Sequence, residues 1–206
     1  MAVKIYIVYY STFGHIAKLA KKVLIGVNFV EGVEAKLWQI PETVPDEELM
    51  RLRAPVREHS VPVISPNDLI EADGFIFCFP TRFGMMNSSF KEFLEATEDI
   101  CKAQLLAGKP AGIITSASSQ GGGQETTVLT SIPALAYHGM IYVPFGIDFT
   151  YSNEYGNIDD DVKGGSPYGA GTYAGQNRPN FFEYMHAIQN GKYFACITKQ
   201  LKGTTA

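Results

Sequence analysis

Three short stretches carry residue types that could grip or transform a small molecule. Ser11-Thr12-Phe13-Gly14-His15-Ile16 offers two hydroxyls and a glycine just ahead of an apolar run with helical spacing. Hydroxyls and the free N–H groups of a helix N-terminus can hold a phosphate without any Lys or Arg. The helix dipole adds at most about 2 kcal/mol, so charge-assisted hydrogen bonds, worth roughly 1.5–3 kcal/mol each, must supply the rest. Ser11 and Thr12 serve equally well as plain helix caps, and the loop alone leaves both readings open. The second stretch runs from Pro80 through Thr81, Arg82, Phe83 and Gly84 to Met86. The third, Ser116 to Gly123, contains Ser118, Ser119 and Gln120 and ends in Gly121, Gly122 and Gly123. Consecutive glycines are often only a flexible turn, yet main chain without side chains can also lie close against a flat ring. Phe13 and Phe83 could wall such a slot, although phenylalanine is more often core.

Other candidates carry less. On the residues alone His138 reads as a satisfied core histidine rather than a pocket group, by about two to one. Asp159-Asp160-Asp161 reads as solvated loop, because adjacent carboxylates diverge. His59 and His186 receive no role. No G-x-G-x-x-G follows the first strand and no G-x-x-x-x-G-K-[ST] occurs, which disfavours a dinucleotide site and a P-loop ATPase.

The elements that must position these stretches follow from apolar periodicity. Val3 to Tyr10 is a β-branched and aromatic run suited to a strand buried on both faces. Ile16, Leu19, Ala20, Val23 and Val27 form a helical stripe. Val33 to Gln39 reads as a more polar edge strand, followed by a Pro-rich and charged wrap with a short helix near Asp46 to Leu52. Gly74 to Pro80 is the most apolar strand. Ser89 and Glu92 suggest a capping box before a helix carrying Phe90, Phe93 and Leu94. Pro110 to Ser116 is a fourth strand, and a helix through Val128 and Leu135 holds Pro133, where a kink is expected. Met140 to Val143 is a fifth strand, and a last helix runs from about Asn180 to Leu201, interrupted or bent near Gly191. Five alternations predict an α/β domain over 1–206, a doubly wound five-stranded parallel sheet of order 2-1-3-4-5 with its ligand site at the strand carboxyl ends. All three stretches above leave such ends. Residues 144–179 read as one long loop of functional or assembly use.

The chain has 206 residues, 17 basic and 21 acidic side chains and a formal charge of −4. That balance argues against nucleic acid, and no apolar run reaches a membrane span. Cys78, Cys101 and Cys196 are too few and scattered for a disulfide framework or zinc site, so a cytoplasmic protein, with at most peripheral membrane contact, is the expectation.

In order along the whole chain, YYSTFGHI (9–16), EGVEAKLWQ (31–39), PTRFGMM (80–86), LAGKPAGI (106–113), GGGQET (121–126), HGM (138–140) and KGGSPYGAGTYAG (163–175) resemble the flavodoxin-like NAD(P)H:quinone oxidoreductases of the WrbA type, most closely the plant members. The resemblance implies a homotetramer that binds FMN and reduces quinones by two electrons with NADH or NADPH. It implies that Ser11, Thr12, Gly14, His15 and Ile16 hold the FMN phosphate, and that Pro80, Thr81, Arg82 and Phe83 flank the ring and ribityl chain. Ser118, Ser119, Gln120, Gly121, Gly122 and Gly123 would meet the polar edge of the ring. His138 would reach the pocket from a neighbouring subunit, and Phe13 would contact the nicotinamide.

The chain departs from that pattern in places. Glu98-Asp99-Ile100-Cys101 stands where the family has Gly-Gly-Leu-Trp, so Cys101 replaces an aromatic surface over the substrate, and simple quinones are expected to be poor substrates. Ala117 and Ser118 replace Thr-Gly, which predicts strain at Ser118. Tyr137 replaces a histidine, 148–161 diverges, and the segment near Gln176-Asn177-Arg178 is shortened. Two alternatives stand beside the reductase: a paralogue with weakened FMN and quinone use, acting on another small substrate or only binding, and a one-electron flavodoxin-type carrier.

Overall fold

The computed structural model describes residues 2–146, 164–175 and 178–204. β1 (Val3–Tyr9), β3 (Gly74–Arg82) and β5 (Pro110–Ala117) form the centre of a mostly parallel sheet, with β2 (Val33–Gln39) at one edge. The path β2-β1-β3-β5-β6, with β6 at Ile141–Tyr142, is the expected five-strand order. Two short strands enlarge it to seven: β4 (Met85–Met86) folds back antiparallel on β3, and β7 (Gly171–Tyr173) lies parallel to β5.

β7 corrects the reading of 144–179 as loop. β6 pairs with Pro110 and Ala111 of β5, and β7 pairs with Thr115 to Ala117, so two strands share one edge. Small residues allow this approach, because a Cβ on Gly169 would overlap the Ile113 carbonyl and one on Gly171 would crowd the Thr115 carbonyl. The Asp159–Asp161 run lies outside the described residues.

Strand alternation sorts the core onto two faces. Phe75, Phe77 and Phe79 of β3 pack with Phe90 and Phe93 of α3 (Ser88–Glu95) and with Val128 and Leu135 of α5 (Gln124–Tyr137). Ile76 and Cys78 face the other way, onto Leu19, Val23 and Val27 of α1 (His15–Asn28) and Phe194 of α6 (Phe181–Thr204). The short helices α2 (Asp46–Arg51) and α4 (Glu98–Lys102) precede β3 and β5.

Two local expectations change. α6 runs unbroken through Gly191, whose missing side chain admits α1, since a Cβ there would overlap the Val23 carbonyl. Gly26 answers it from α1, where a Cβ would overlap the Ile188 carbonyl. α3 is capped by Asn87 rather than Ser89 and has no side-chain cap bond; the Ser89 hydroxyl instead accepts from Thr43 at 2.8 Å. α5 continues through Pro133 to Tyr137.

Candidate functional site

Register brings the three loops together. Tyr9 of β1 lies opposite Cys78 of β3, and Pro80 lies opposite Ser116 of β5. The chains that leave these adjacent strands therefore emerge level, with strands about 4.8 Å apart. Ser11, Pro80 and Ser116 therefore stand at one end of the sheet, the end where the alternation predicted the ligand site.

In the first loop the helix cap is Gly14, at φ 85°, with no side-chain cap bond. Ser11 and Thr12 therefore do not cap α1. Among the described residues the Ser11 hydroxyl is buried without a partner, and no side chain caps the neighbouring helix start. Leaving such a group unmade costs about 1–3 kcal/mol, so an anion that accepts from it recovers that cost. His15 is pushed toward its neutral form by burial and by Lys18, with Glu183 opposing. Phe13 is half-exposed beside it.

The second loop presents Phe83 almost entirely to solvent, at 99% exposure, on a left-handed backbone of φ 53°. That conformation costs an L-residue roughly 1–2 kcal/mol. The loop is otherwise clamped: Thr81 and Thr127 share a hydroxyl hydrogen bond, and Thr130 Oγ1 donates to the Gly84 carbonyl at 2.8 Å. Arg82 is exposed, with a long contact of 3.5 Å to the Thr81 carbonyl.

The third loop closes on itself. The Ser119 carbonyl accepts from Gly122 N at 3.1 Å and from Gln124 Nε2 at 3.2 Å. Gly121 and Gly123 take the left-handed conformations, and Ser118 does not, so the strain expected at Ser118 is absent. A Cβ on Gly123 would lie 3.4 Å from Gly84 Cα, which shows how closely the second and third loops meet. Ser118, Ser119 and Gln120 are exposed at the rim.

His138 and Cys101 lie elsewhere in the chain. Gly108 N donates to the Gly139 carbonyl at 2.8 Å, which sets His138 beside the start of β5. The strand from Pro110 to Ser116 separates that point from the third loop, a span of roughly 20 Å at about 3.3 Å per residue. His138 is buried, with Nε2 2.7 Å from Thr97 Oγ1 and Nδ1 2.8 Å from the Ala134 carbonyl. Cys101 Sγ donates to the Tyr137 carbonyl at 3.2 Å, and Gln104 Nε2 donates to the same carbonyl at 3.0 Å. Within one chain neither residue lies at the end of the sheet where the three loops emerge.

Several residues at the crevice carried no sequence signal. Asn87 and Gln124 are buried, each with an unpartnered side-chain oxygen. Tyr10 OH donates to Glu42 Oε1 at 3.0 Å, next to the side chains of Ser89 and Thr12. Burial holds the Tyr10 hydroxyl protonated by raising its pKa. Buried Glu183 accepts from Thr172 Oγ1 and Arg178 Nη1, both at 2.9 Å, and ties β7 to the start of α6. A buried carboxylate with a phase-matched partner on another element is invisible to local spacing. Among the described residues no cluster of His, Cys, Asp or Glu could hold a metal, and no helix is long and apolar enough to cross a membrane.

The NADPH-dependent FMN reductase family matches residues 14–149. A quinone oxidoreductase, QR2, of Triphysaria versicolor is 53% identical over the full length of both chains. An NAD(P)H dehydrogenase (quinone) of Geobacter metallireducens is 39% identical, covering 97% of this chain and all of its own. A WrbA-like flavodoxin from Agrobacterium tumefaciens superimposes with a TM-score of 0.66 at 19% identity, over 97% of this chain and 99% of its own. That last likeness supports the fold.

Proposed function

We propose, from the premise that this chain belongs to the NADPH-dependent FMN reductase family, that it is an FMN-dependent quinone reductase driven by NADH or NADPH. Relatives that carry the quinone reductase name match it end to end. One observation carries the assignment of the cofactor site: the buried, partnerless Ser11 hydroxyl beside an uncapped helix start, level with two further loops.

The residues present fit FMN. Ser11, Thr12 and the N–H groups of Gly14, His15 and Ile16 hold the phosphate. Pro80, Thr81, Arg82 and Phe83 flank the ring and ribityl chain, and 118–123 meet the polar edge of the ring through main chain. Bound there, FMN supplies the redox chemistry that relays two electrons and a proton from the nicotinamide to a quinone. The chain itself aligns and excludes water. Phe83, strained and exposed, and Phe13 offer flat apolar surface on which nicotinamide and quinone alternate. The clamped second loop and the self-closed third loop keep the slot shaped between those visits.

His138 and Cys101 contribute to the pocket from a neighbouring copy in a homotetramer. Exposed Leu105, Leu129, Tyr137 and Ile141 near them suit such an interface. The chain acts as one flavodoxin-like domain, and its three free cysteines suit the cytoplasm. The test is a titration of purified protein with FMN, followed by a benzoquinone assay with NADH and NADPH. A yellow, FMN-loaded protein that oxidises either nucleotide only with quinone present is expected. Protein that stays colourless with excess FMN overturns the reading.

A further inference from the structure

The first loop has no Lys or Arg of its own between Ser11 and Ile16, and a carboxylate sits beneath it. Glu42 Oε1 accepts from Tyr10 OH, Thr43 N and Val44 N, each at 3.0 Å. Tyr10 directly precedes Ser11 and adjoins Thr12. A dianionic phosphate on Ser11 and Thr12 would therefore face a negative charge through a single tyrosine ring. Arg57 answers that charge. Its Nη1 lies 4.0 Å from Glu42 Oε2, both side chains are largely buried, and its Nη2 and Nε reach the Ile40 carbonyl at 2.5 Å and Gln39 Oε1 at 3.3 Å. Two residues earlier, Pro55 packs against Gly14, 3.9 Å from where a Cβ would stand. The segment that carries Arg57 is thus seated on the phosphate loop.

We propose that Arg57 sets the affinity for the phosphate end of FMN without touching it, by cancelling the Glu42 charge beneath Ser11 and Thr12. Glu42 is needed because it gathers Tyr10 and the turn at Thr43 and Val44 into one support. Arg57 keeps that support from repelling the ligand. The inference rests on the reading of this loop as the FMN phosphate site. It makes Arg57 a specificity residue for a phosphorylated flavin over the same flavin without phosphate.

The experiment measures dissociation constants for FMN and for riboflavin by flavin fluorescence, with the melting temperature of each apoprotein. Arg57→Met leaves Glu42 uncompensated, so FMN binding weakens about tenfold while riboflavin binding stays within about twofold. Arg57→Lys keeps the charge but loses the paired hydrogen bonds, so it keeps most of the FMN affinity. Adding Glu42→Gln to Arg57→Met restores FMN binding to within about threefold of the parent. Glu42→Gln alone tightens FMN binding a few-fold and leaves riboflavin unchanged, which decides the matter should Arg57→Met not fold. Equal losses for both ligands, or no rescue by the second substitution, overturn the role of Arg57. A parent protein that binds riboflavin as tightly as FMN overturns the phosphate reading itself, and that outcome is visible before any variant is made.

Discussion

The two ends of the β5–α5 unit obey opposite rules. At the start of α5, Gln124 leaves a buried oxygen unpaired, and across the crevice Ser11 and Asn87 do the same. At its finish, His138 engages both ring nitrogens, while Cys101 and Gln104 converge on one carbonyl. Open valences in a folded chain cost free energy, and their concentration at one end is what the proposed ligand site rests on. Closed valences mark where the chain completes itself. A histidine is the more eye-catching residue in a sequence, but here the serine and two amides carry the clearer sign of a ligand.

The largest effect that sharpens this contrast is expected at the closed end. His138→Ala strands the Ala134 carbonyl, removes one partner of the Thr97 hydroxyl and empties buried volume, costing about 2–4 kcal/mol. Scanning calorimetry of the apoprotein reads it as a fall in Tm of roughly 4–12 °C. At the open end, Ser11→Ala removes a hydroxyl that has no partner among the described residues. The apoprotein stays as stable or gains up to about 1 kcal/mol, while FMN binding weakens about tenfold. If urea unfolding finds Ser11→Ala as damaging as His138→Ala, the distinction between the ends collapses.

A smaller effect joins the two ends across subunits. Cys101→Trp restores a flat surface worth about 0.5–1.5 kcal/mol, and kcat/KM for a simple benzoquinone rises roughly three- to twelvefold. Because Cys101 lies a strand's length from its own loops, that gain requires the assembled protein. A variant that improves as a monomer would place the residue over its own crevice after all.

The smallest effect is a pH dependence. Burial and Lys18 depress His15 below the ordinary imidazole value of 6.5. The unfolded chain then takes a proton more readily than the folded one as pH falls through that value. Stability contributed by neutral His15 is complete above the unfolded pKa and declines below it, levelling once the folded pKa is passed. His15→Gln flattens this part of the profile in urea titrations between about pH 5 and 8. An unchanged slope in the variant assigns the dependence to another group.

Much of the fold is legible in local pattern. β2 begins and ends where VEAKLWQ does, and the Phe75, Phe77, Phe79 alternation announces a strand with both faces covered. What local pattern misreads depends on residues far away in sequence. Ser89 looks like a cap until Thr43 takes its hydroxyl. Gly191 looks like an interruption of the last helix until α1 lies against it. β7 looks like loop because glycines, which weaken a strand in isolation, are what allow it to approach β5. The loops of the crevice were legible because their residues are contiguous. Tyr10, Glu42 and Arg57 were not, since each performs an ordinary task in its own segment and only the packed structure makes them one unit.

The glycine contact between α1 and α6 also has a consequence for biosynthesis. Gly26 and Gly191 sit near opposite ends of the chain, and Leu19, Val23 and Val27 share their core with Ala187, Phe194 and Ala195. A ribosome adding roughly 5–20 residues per second therefore releases α1 many seconds before the helix that covers it. Throughout that interval the part of the α1 face that α6 later covers lacks that cover. Its protection by a chaperone, or its exposure to aggregation, is decided before the last helix leaves the exit tunnel.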